Sequence, residues 1–349
     1  MLENYGGLTL NKDPFVSVII PCRNEEKFIS KCIDSIVAND YPKDKLELLV
    51  MDGMSEDRTH SIIKEYMQQH PFIRLLENPK KIIPCALNLG IQHAKGEIII
   101  RMDAHATYEK EYISKCVMYL FEYGASNVGG NMITFPRNDN LIGWTIVHVL
   151  SHRFGCGSTF RTILKEPKWV DTVFCGCYRK EVFEEIGFYD ERLERCEDMD
   201  MNLRLKRAGG KILQHPDILS NYYAKSDFRS FCIHNFKNGF GIVYPLKFVN
   251  RMPISWRHLV PLMFTLSLMV SSLLSIFSHI FLLLFLFTIG SYTLINIYFS
   301  IKITLKEKNF RYFFLIPIIF ATLHISYGFG SLWGLSKAII SVEFWKNRF

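Results

Sequence analysis

Residues 15–20, FVSVII, form a short β-branched apolar run without polar alternation, the pattern of a strand covered on both faces of a parallel sheet. The polar stretch PCRNEE follows, and then Ile29, Ile33, Ile36 and Val37 recur at three- and four-residue spacing. That spacing predicts a helix over about residues 25–39 that lays one face on the sheet. LELLVMD repeats the strand pattern and ends at Asp52, and DGMSEDRTH leads into a helix over 61–69. A further strand carries Ile98, Ile99 and Ile100, with Asp103 and His105 just beyond it. Strands alternating with helices predict right-handed parallel crossovers, so Asp52 and Asp103 fall at the carboxyl edge of one sheet, where open α/β sheets bind ligands. Later, MDMNLRLKRAGG reads as a helix closed by Gly209 and Gly210, which leaves Asp198 either an N-cap or a group free for chemistry. Between Gly130 and Val173 the periodicity is weak apart from a helix-like run at 141–150. Trp144, His152, Arg153, Phe160 and Arg161 lie there, between the earlier acids and Asp198, a position that suggests ligand contacts.

The pattern changes after Arg257. Residues 258–301 contain no Asp, Glu, Lys or Arg, and a second uncharged run covers 312–336. One helix over the first run would be about 66 Å long, twice the ~30 Å hydrocarbon core of a bilayer, so two spans fit, with the turn at Ser278-His279. Three spans are therefore expected, over 258–277, 280–301 and 313–335. A cytosolic domain (1–225) and an amphipathic interfacial segment (226–257) precede them, and a tail (337–349) follows. Lys302, Lys306, Lys308 and Arg311 lie between the second and third spans and mark a cytoplasmic loop by the positive-inside rule. The N-terminal domain is then cytoplasmic and the protein integral to the membrane. The tail KAIISVEFWKNRF, with three basic residues, sits poorly outside, so either the third segment is re-entrant or the rule is weak here. In the interfacial segment Phe228, Phe231, Phe236 and Phe240 interleave with Lys225, Arg229 and Lys237. Lys225 and Arg229 are accordingly candidates to meet a lipid phosphate, with a solvated helix face as the plain alternative.

Composition narrows the class. A formal charge of +7 on 349 residues is modest, and most of the excess lies beyond His258, which argues against a nucleic-acid partner. The N-terminus has no signal-peptide architecture. Nine scattered cysteines suit a reducing compartment, and Cys175 and Cys177 lack the partners of a metal site. No glycine-rich fingerprint follows the first strand, so neither a dinucleotide fold nor a P-loop is present. A carboxylate pair reading base and ribose, with a divalent ion bridging a diphosphate, is the economical alternative.

Four segments then carry a resemblance: SVIIPCRNEEKFISKCIDSI, VMDGMSEDRTHSII, ALNLGIQHAKGEIIIRMDAHATY and FCGCYRKEVFEEIGFYDERLERCEDMDMNLRLKRAGGKI. In this order and spacing they resemble the motifs of family 2 glycosyltransferases, and among these the membrane-anchored, succinoglycan-type glucosyltransferases. The resemblance covers about residues 15–250. It implies a GT-A fold, α/β with a mostly parallel nucleotide-sugar-binding sheet, and inverting transfer of a hexose from a UDP-sugar to a lipid-linked saccharide in surface polysaccharide biosynthesis. Carried over by position, Pro21, Asn24 and Glu25 belong to the donor loop and Asp52 to the base contact. Asp103 is the metal and diphosphate ligand with His105 as its partner, and Asp198 is the catalytic base. The change from Asp-x-Asp to Asp-x-His favours Mn²⁺ over Mg²⁺ as the divalent cofactor. The QxxRW element of processive synthases is absent: Gln214 is followed by HPD, and Trp256-Arg257 has the reverse order. Two other readings stay open: a polyprenyl-phosphate glycosyltransferase, whose acceptor is a lipid phosphate, and a non-catalytic sugar-nucleotide-binding scaffold.

Overall fold

The computed structural model describes residues 13–156, 161–248 and 256–346; Phe160 lies outside them, as do the first twelve and last three residues. The chain divides into two compact units, one of residues 1–133 and 162–222 and the other of residues 134–161 and 223–349.

The first unit begins with strand β1 (Val16–Cys22), helix α1 (Ile29–Val37), β2 (Leu46–Asp52), α2 (Thr59–Gln69), β3 (Ile73–Glu77) and α3 (Ile83–His93). It continues through β4 (Ile98–Arg101), β5 (Ala106–Tyr108), α4 (Tyr112–Glu122) and β6 (Asn127–Pro136), whose last residues enter the second unit. In the second unit, α5 (Leu141–Ser151) follows; the chain then returns to the first for β7 (Lys168–Trp169), β8 (Phe174–Arg179), α6 (Glu181–Ile186), α7 (Glu197–Arg207) and β9 (Ile212–Ala224). The sheet order is β3-β2-β1-β4-β8-β6-β9-β5, with β7 on β9.

β1, β2, β3 and β4 pair in parallel, as their unbroken apolar runs require. Beyond β4 the sheet turns antiparallel, through β8 against β4 and β6 and through β5 and β7 against β9. The parallel half was readable because its strands are buried on both faces. β1 alternates between them: Val16, Val18 and Ile20 join Ile29, Ile33 and Ile36 of α1 in one core, while Ile19 joins Leu87 and Ile91 of α3 and Met201 and Leu205 of α7 in the other. Fully burying such a side chain is worth about 1.5–3 kcal/mol, so this strand anchors both layers.

The second unit adds α8 (Phe228–Val243), α9 (Val260–Leu274), α10 (His279–Glu307) and α11 (Arg311–Ile340) to α5. Among the described residues three helical stretches are long and apolar enough to cross a membrane: Trp256–Leu274, His279–Glu307 and Arg311–Ile340. α10 starts at His279, with Ser278 in the N-cap position. α11 is one continuous helix of 30 residues, about 45 Å long at ~1.5 Å per residue, despite Pro317 within it. Asn296 of α10 donates from Nδ2 to the Pro317 carbonyl at 3.0 Å, a polar contact where the ring interrupts the helical ladder.

α8 packs against α11. A Cβ on Gly239 would stand 2.0 Å from the Tyr327 carbonyl oxygen, and one on Gly330 2.0 Å from that of Phe236, so the two backbones touch where side chains are missing. Ser331 Oγ adds a hydrogen bond to the Gly239 carbonyl at 3.1 Å. Within the stretch read as interfacial, Phe231, Asn235 and Gly239 are therefore buried, while Phe228 and Ile233 stay exposed.

Candidate active site

Two loops at the carboxyl edge of the parallel strands are stitched together by hydrogen bonds. After β1, the Asn24 N–H donates to Ser55 Oγ (2.9 Å), and Asn24 Oδ1 accepts from the Glu56 N–H (2.8 Å). The Glu25 N–H donates to Thr59 Oγ1 (2.8 Å) and the Glu26 N–H to Asp57 Oδ2 (3.1 Å). Pro21 lies within β1, beside Met51 of β2. Asp52 ends β2 at 2 % exposure, and its carboxylate accepts from the Ser55 N–H (3.2 Å) and Ser55 Oγ (2.5 Å) and meets His60 Nδ1 (3.2 Å). The turn-forming role of Asp52 is thus real, and it orients the carboxylate as well.

Backbone conformation marks the same loops. Asn24, Met54 and Cys196 have φ of 54°, 57° and 69°, a left-handed region that costs non-glycine residues of order 1–3 kcal/mol and is held only where the surroundings over-determine it. Each lies within two residues of a candidate residue: Glu25, Asp52 or the Glu197-Asp198 pair.

The centre of the site is Arg101, at the end of β4. Its Nη2 lies 3.3 Å from Asp103 Oδ1 and its Nη1 3.4 Å from Glu197 Oε1, and Nη1 also pairs closely with Asp198 Oδ2. Asp103 comes from the loop after β4, whereas Glu197 and Asp198 open α7, so one guanidinium joins carboxylates from two elements. The helix begins at Glu197 with Cys196 as its N-cap and no side-chain cap, so the capping alternative for Asp198 falls: it sits inside the first turn. Gly209 does close the helix, at φ 86°. Desolvation, reinforced by Asp198 and opposed by Arg101, raises the Glu197 carboxyl to about 7. Asp198 is shifted upward by desolvation, with Arg101 opposing and Asp103 adding to the rise.

His105 Nδ1 lies 3.1 Å from Glu25 Oε1, and its ring stands against Tyr222 at 5.0 Å. An ionised carboxylate can only accept, so Nδ1 is the donor in this contact, the arrangement by which carboxylates orient metal-binding imidazoles. Among the described residues no three His, Cys, Asp or Glu side chains form a ready-made cage. Asp103 and His105 nevertheless suit a cation that would take further ligands from a diphosphate, since among the described residues Asp103 Oδ2 and His105 Nε2 make no hydrogen bond, the contacts being at Oδ1 and Nδ1.

The family model for glycosyl transferase family 2 matches residues 17–187. A dolichyl N-acetyl-alpha-D-glucosaminyl phosphate 3-beta-D-2,3-diacetamido-2,3-dideoxy-beta-D-glucuronosyltransferase of Methanococcus voltae is 32% identical over 225 residues, 62% of this chain and 69% of the relative. The chain belongs to glycosyltransferase family 2. Succinoglycan biosynthesis protein ExoA of Rhizobium meliloti is another relative, 26% identical over 60% of this chain and 63% of its own length. Among solved structures, a mannosyltransferase from Pyrobaculum calidifontis, in complex with GDP-Man and Mn²⁺, superposes with a TM-score of 0.61. It covers 93% of this chain and 88% of its own at 19% identity, a likeness of fold that confirms the GT-A architecture.

Of the residues read from sequence, Asp103 and Asp198 meet on one guanidinium, and Glu25 bridges the donor loop to His105. Asp52 reaches the donor loop through Ser55, whose Oγ donates to it and accepts from the Asn24 N–H. Lys225 and Arg229 are exposed in the second unit, Arg229 in the first turn of α8. Sequence reasoning in this glycosyltransferase missed Arg101, Glu197 as a partner, and His60. The available signal was a lone arginine ending an otherwise apolar buried strand, EIIIR, where a cation demands a carboxylate partner.

Proposed function

We propose that the chain is a membrane-anchored, inverting hexosyltransferase that uses a UDP-sugar donor and a hydroxyl of a lipid-linked saccharide as acceptor. What supports this reading above all is that Asp103 and Asp198, from different elements, share Arg101. In this reading Pro21, Asn24, Glu25 and Asp52 hold the nucleotide, and Asp103 with His105 faces the diphosphate. A divalent ion bound by that pair would supply Lewis-acid stabilisation of the departing diphosphate. Asp198 takes the proton from the acceptor hydroxyl as its oxygen bonds to the anomeric carbon, and the bond from that carbon to the diphosphate oxygen breaks on the opposite face. Half-exposed and desolvated, Asp198 is placed to receive a proton; Glu197, more deeply buried, is not.

In this reading the three apolar helices anchor the enzyme, and the basic loop between the second and third spans supports a cytoplasmic catalytic unit through the positive-inside rule. Lys225 and Arg229 are assigned to the phosphate of the lipid acceptor. The test is a panel of radiolabelled UDP- and GDP-sugars offered to membranes containing the protein, with Mg²⁺ or Mn²⁺, followed by extraction of lipids. Label from a UDP-hexose in the lipid-linked saccharide fraction supports the reading. Nucleotide binding without label transfer to any lipid supports the scaffold, and label on a bare polyprenyl phosphate supports that rival.

A further inference from the structure

We propose that Arg101 is a positioning residue for this transfer: its guanidinium fixes the separation of the donor-side acid Asp103 from the acceptor-side base Asp198. The inference rests on the functional reading above. Arg101 stands on the most constrained part of the fold, in β4, its backbone paired with Ile19 of the central strand and its side chain 11% exposed. From there it reaches Asp103 on its own strand's outgoing loop and both Glu197 and Asp198 on α7.

Docking of α7 does not require it. The body of that helix is held elsewhere: Asn202 joins Asn127 and Thr172, each at 2.9 Å, and Arg204 donates to the carbonyls of Ile186 and Phe188 at 2.5 and 2.9 Å. The first turn has no capping side chain and enters from a left-handed Cys196. Arg101 is thus what directs the acidic end of an otherwise anchored helix. Its Nε and Nη1 are both buried without a hydrogen-bond partner, so the group is tied to Glu197 and Asp198 through ion-pair contacts rather than by a saturated hydrogen-bond network. A planar fork can span two carboxylates from fixed positions, whereas an ammonium is a single point charge, so lysine is a poor replacement.

The experiment compares wild type, Arg101→Met, Arg101→Lys and Arg101→Ala for UDP affinity, thermal unfolding and kcat of sugar transfer to the lipid-linked acceptor fraction. Misplacing a general base forfeits its contribution, so Arg101→Met is expected to lose roughly 100-fold in kcat while UDP affinity stays within about threefold. Arg101→Lys should recover only part of the loss, and ethylguanidinium added to Arg101→Ala should restore activity in a saturable manner, which a merely structural role would not allow. Undiminished kcat in Arg101→Met, or losses in Arg101→Lys and Arg101→Ala that track unfolding and resist ethylguanidinium, would overturn the inference. Failure of the wild type to transfer to any lipid acceptor would instead strike the functional reading itself.

Discussion

The two units hold their parts by opposite means. In the first, large side chains do the fixing: Ile19, Leu49, Ile99 and their neighbours fill both faces of the sheet, and the loops at its edge are tied by hydrogen bonds between Asn24, Glu25, Ser55 and Thr59. In the second, α8 and α11 meet where side chains are missing, at Gly239 and Gly330, and some hydrogen bonds join polar groups between helices. Tyr292 Oη, for example, meets His324 Nδ1 at 2.9 Å, while His324 Nε2 meets the Phe154 carbonyl at 2.8 Å. The difference follows from the solvent each unit is built for. Water drives apolar side chains together, whereas lipid gives helices no such drive and leaves close backbone packing to join them. Chemistry that needs carboxylates held to a fraction of an ångström therefore sits on the sheet.

The comparison can be broken most directly at the base. Asp198→Asn should lower kcat by ~10²- to 10⁴-fold while UDP binding persists, because the substitution removes a proton acceptor and leaves the sheet intact. Equilibrium binding beside steady-state transfer checks it. Loss of both would mean that Asp198 supports the fold of the first unit.

In the second unit the corresponding stress is Gly330→Leu. A Cβ there would overlap the Phe236 carbonyl oxygen, so α8 and α11 must separate. A cost of about 1–3 kcal/mol is expected for such overpacking, read as a lower melting temperature of detergent-solubilised protein. An unchanged melting temperature would show that the helices do not depend on backbone contact.

Glu197 provides a pH test of the first unit alone. Its folded pKa, about 7, exceeds the ordinary 4.5, so the folded state binds this proton more tightly than the unfolded chain. The resulting stabilisation is fully present below the unfolded value and fades as pH rises through about 7. Glu197→Gln should therefore flatten the decline in unfolding free energy between about pH 4.5 and 7 relative to wild type. The smallest effect is expected from Tyr292→Phe, about 0.6 kcal/mol for one interhelical hydrogen bond, visible as a slight fall in melting temperature.

The parallel half of the sheet was legible because strands buried on both faces write unbroken apolar runs, and Asp52 and Asp103 ended them. The antiparallel half was not, since β8 carries Cys, Gly, Tyr and Arg and β9 mixes polar and apolar residues, patterns that long-range pairing stabilises. Asp198 could be chosen by motif, but its place inside the first turn of α7 depended on a left-handed Cys196, which no local propensity predicts. Arg101 went unread for a related reason. Its significance lies in Glu197 and Asp198, almost a hundred positions away, which only the fold brings to it. The glycines of α8 and α11 were visible as letters, yet their role appears only with the partner helix.

The most direct test of the central claim is the structure of the transferred linkage, determined by NMR on the lipid-linked product made from an α-configured UDP-hexose. The account predicts a glycosidic bond to a saccharide hydroxyl with the anomeric configuration inverted to β. A retained α configuration, or a hexose attached to a lipid phosphate, would contradict it.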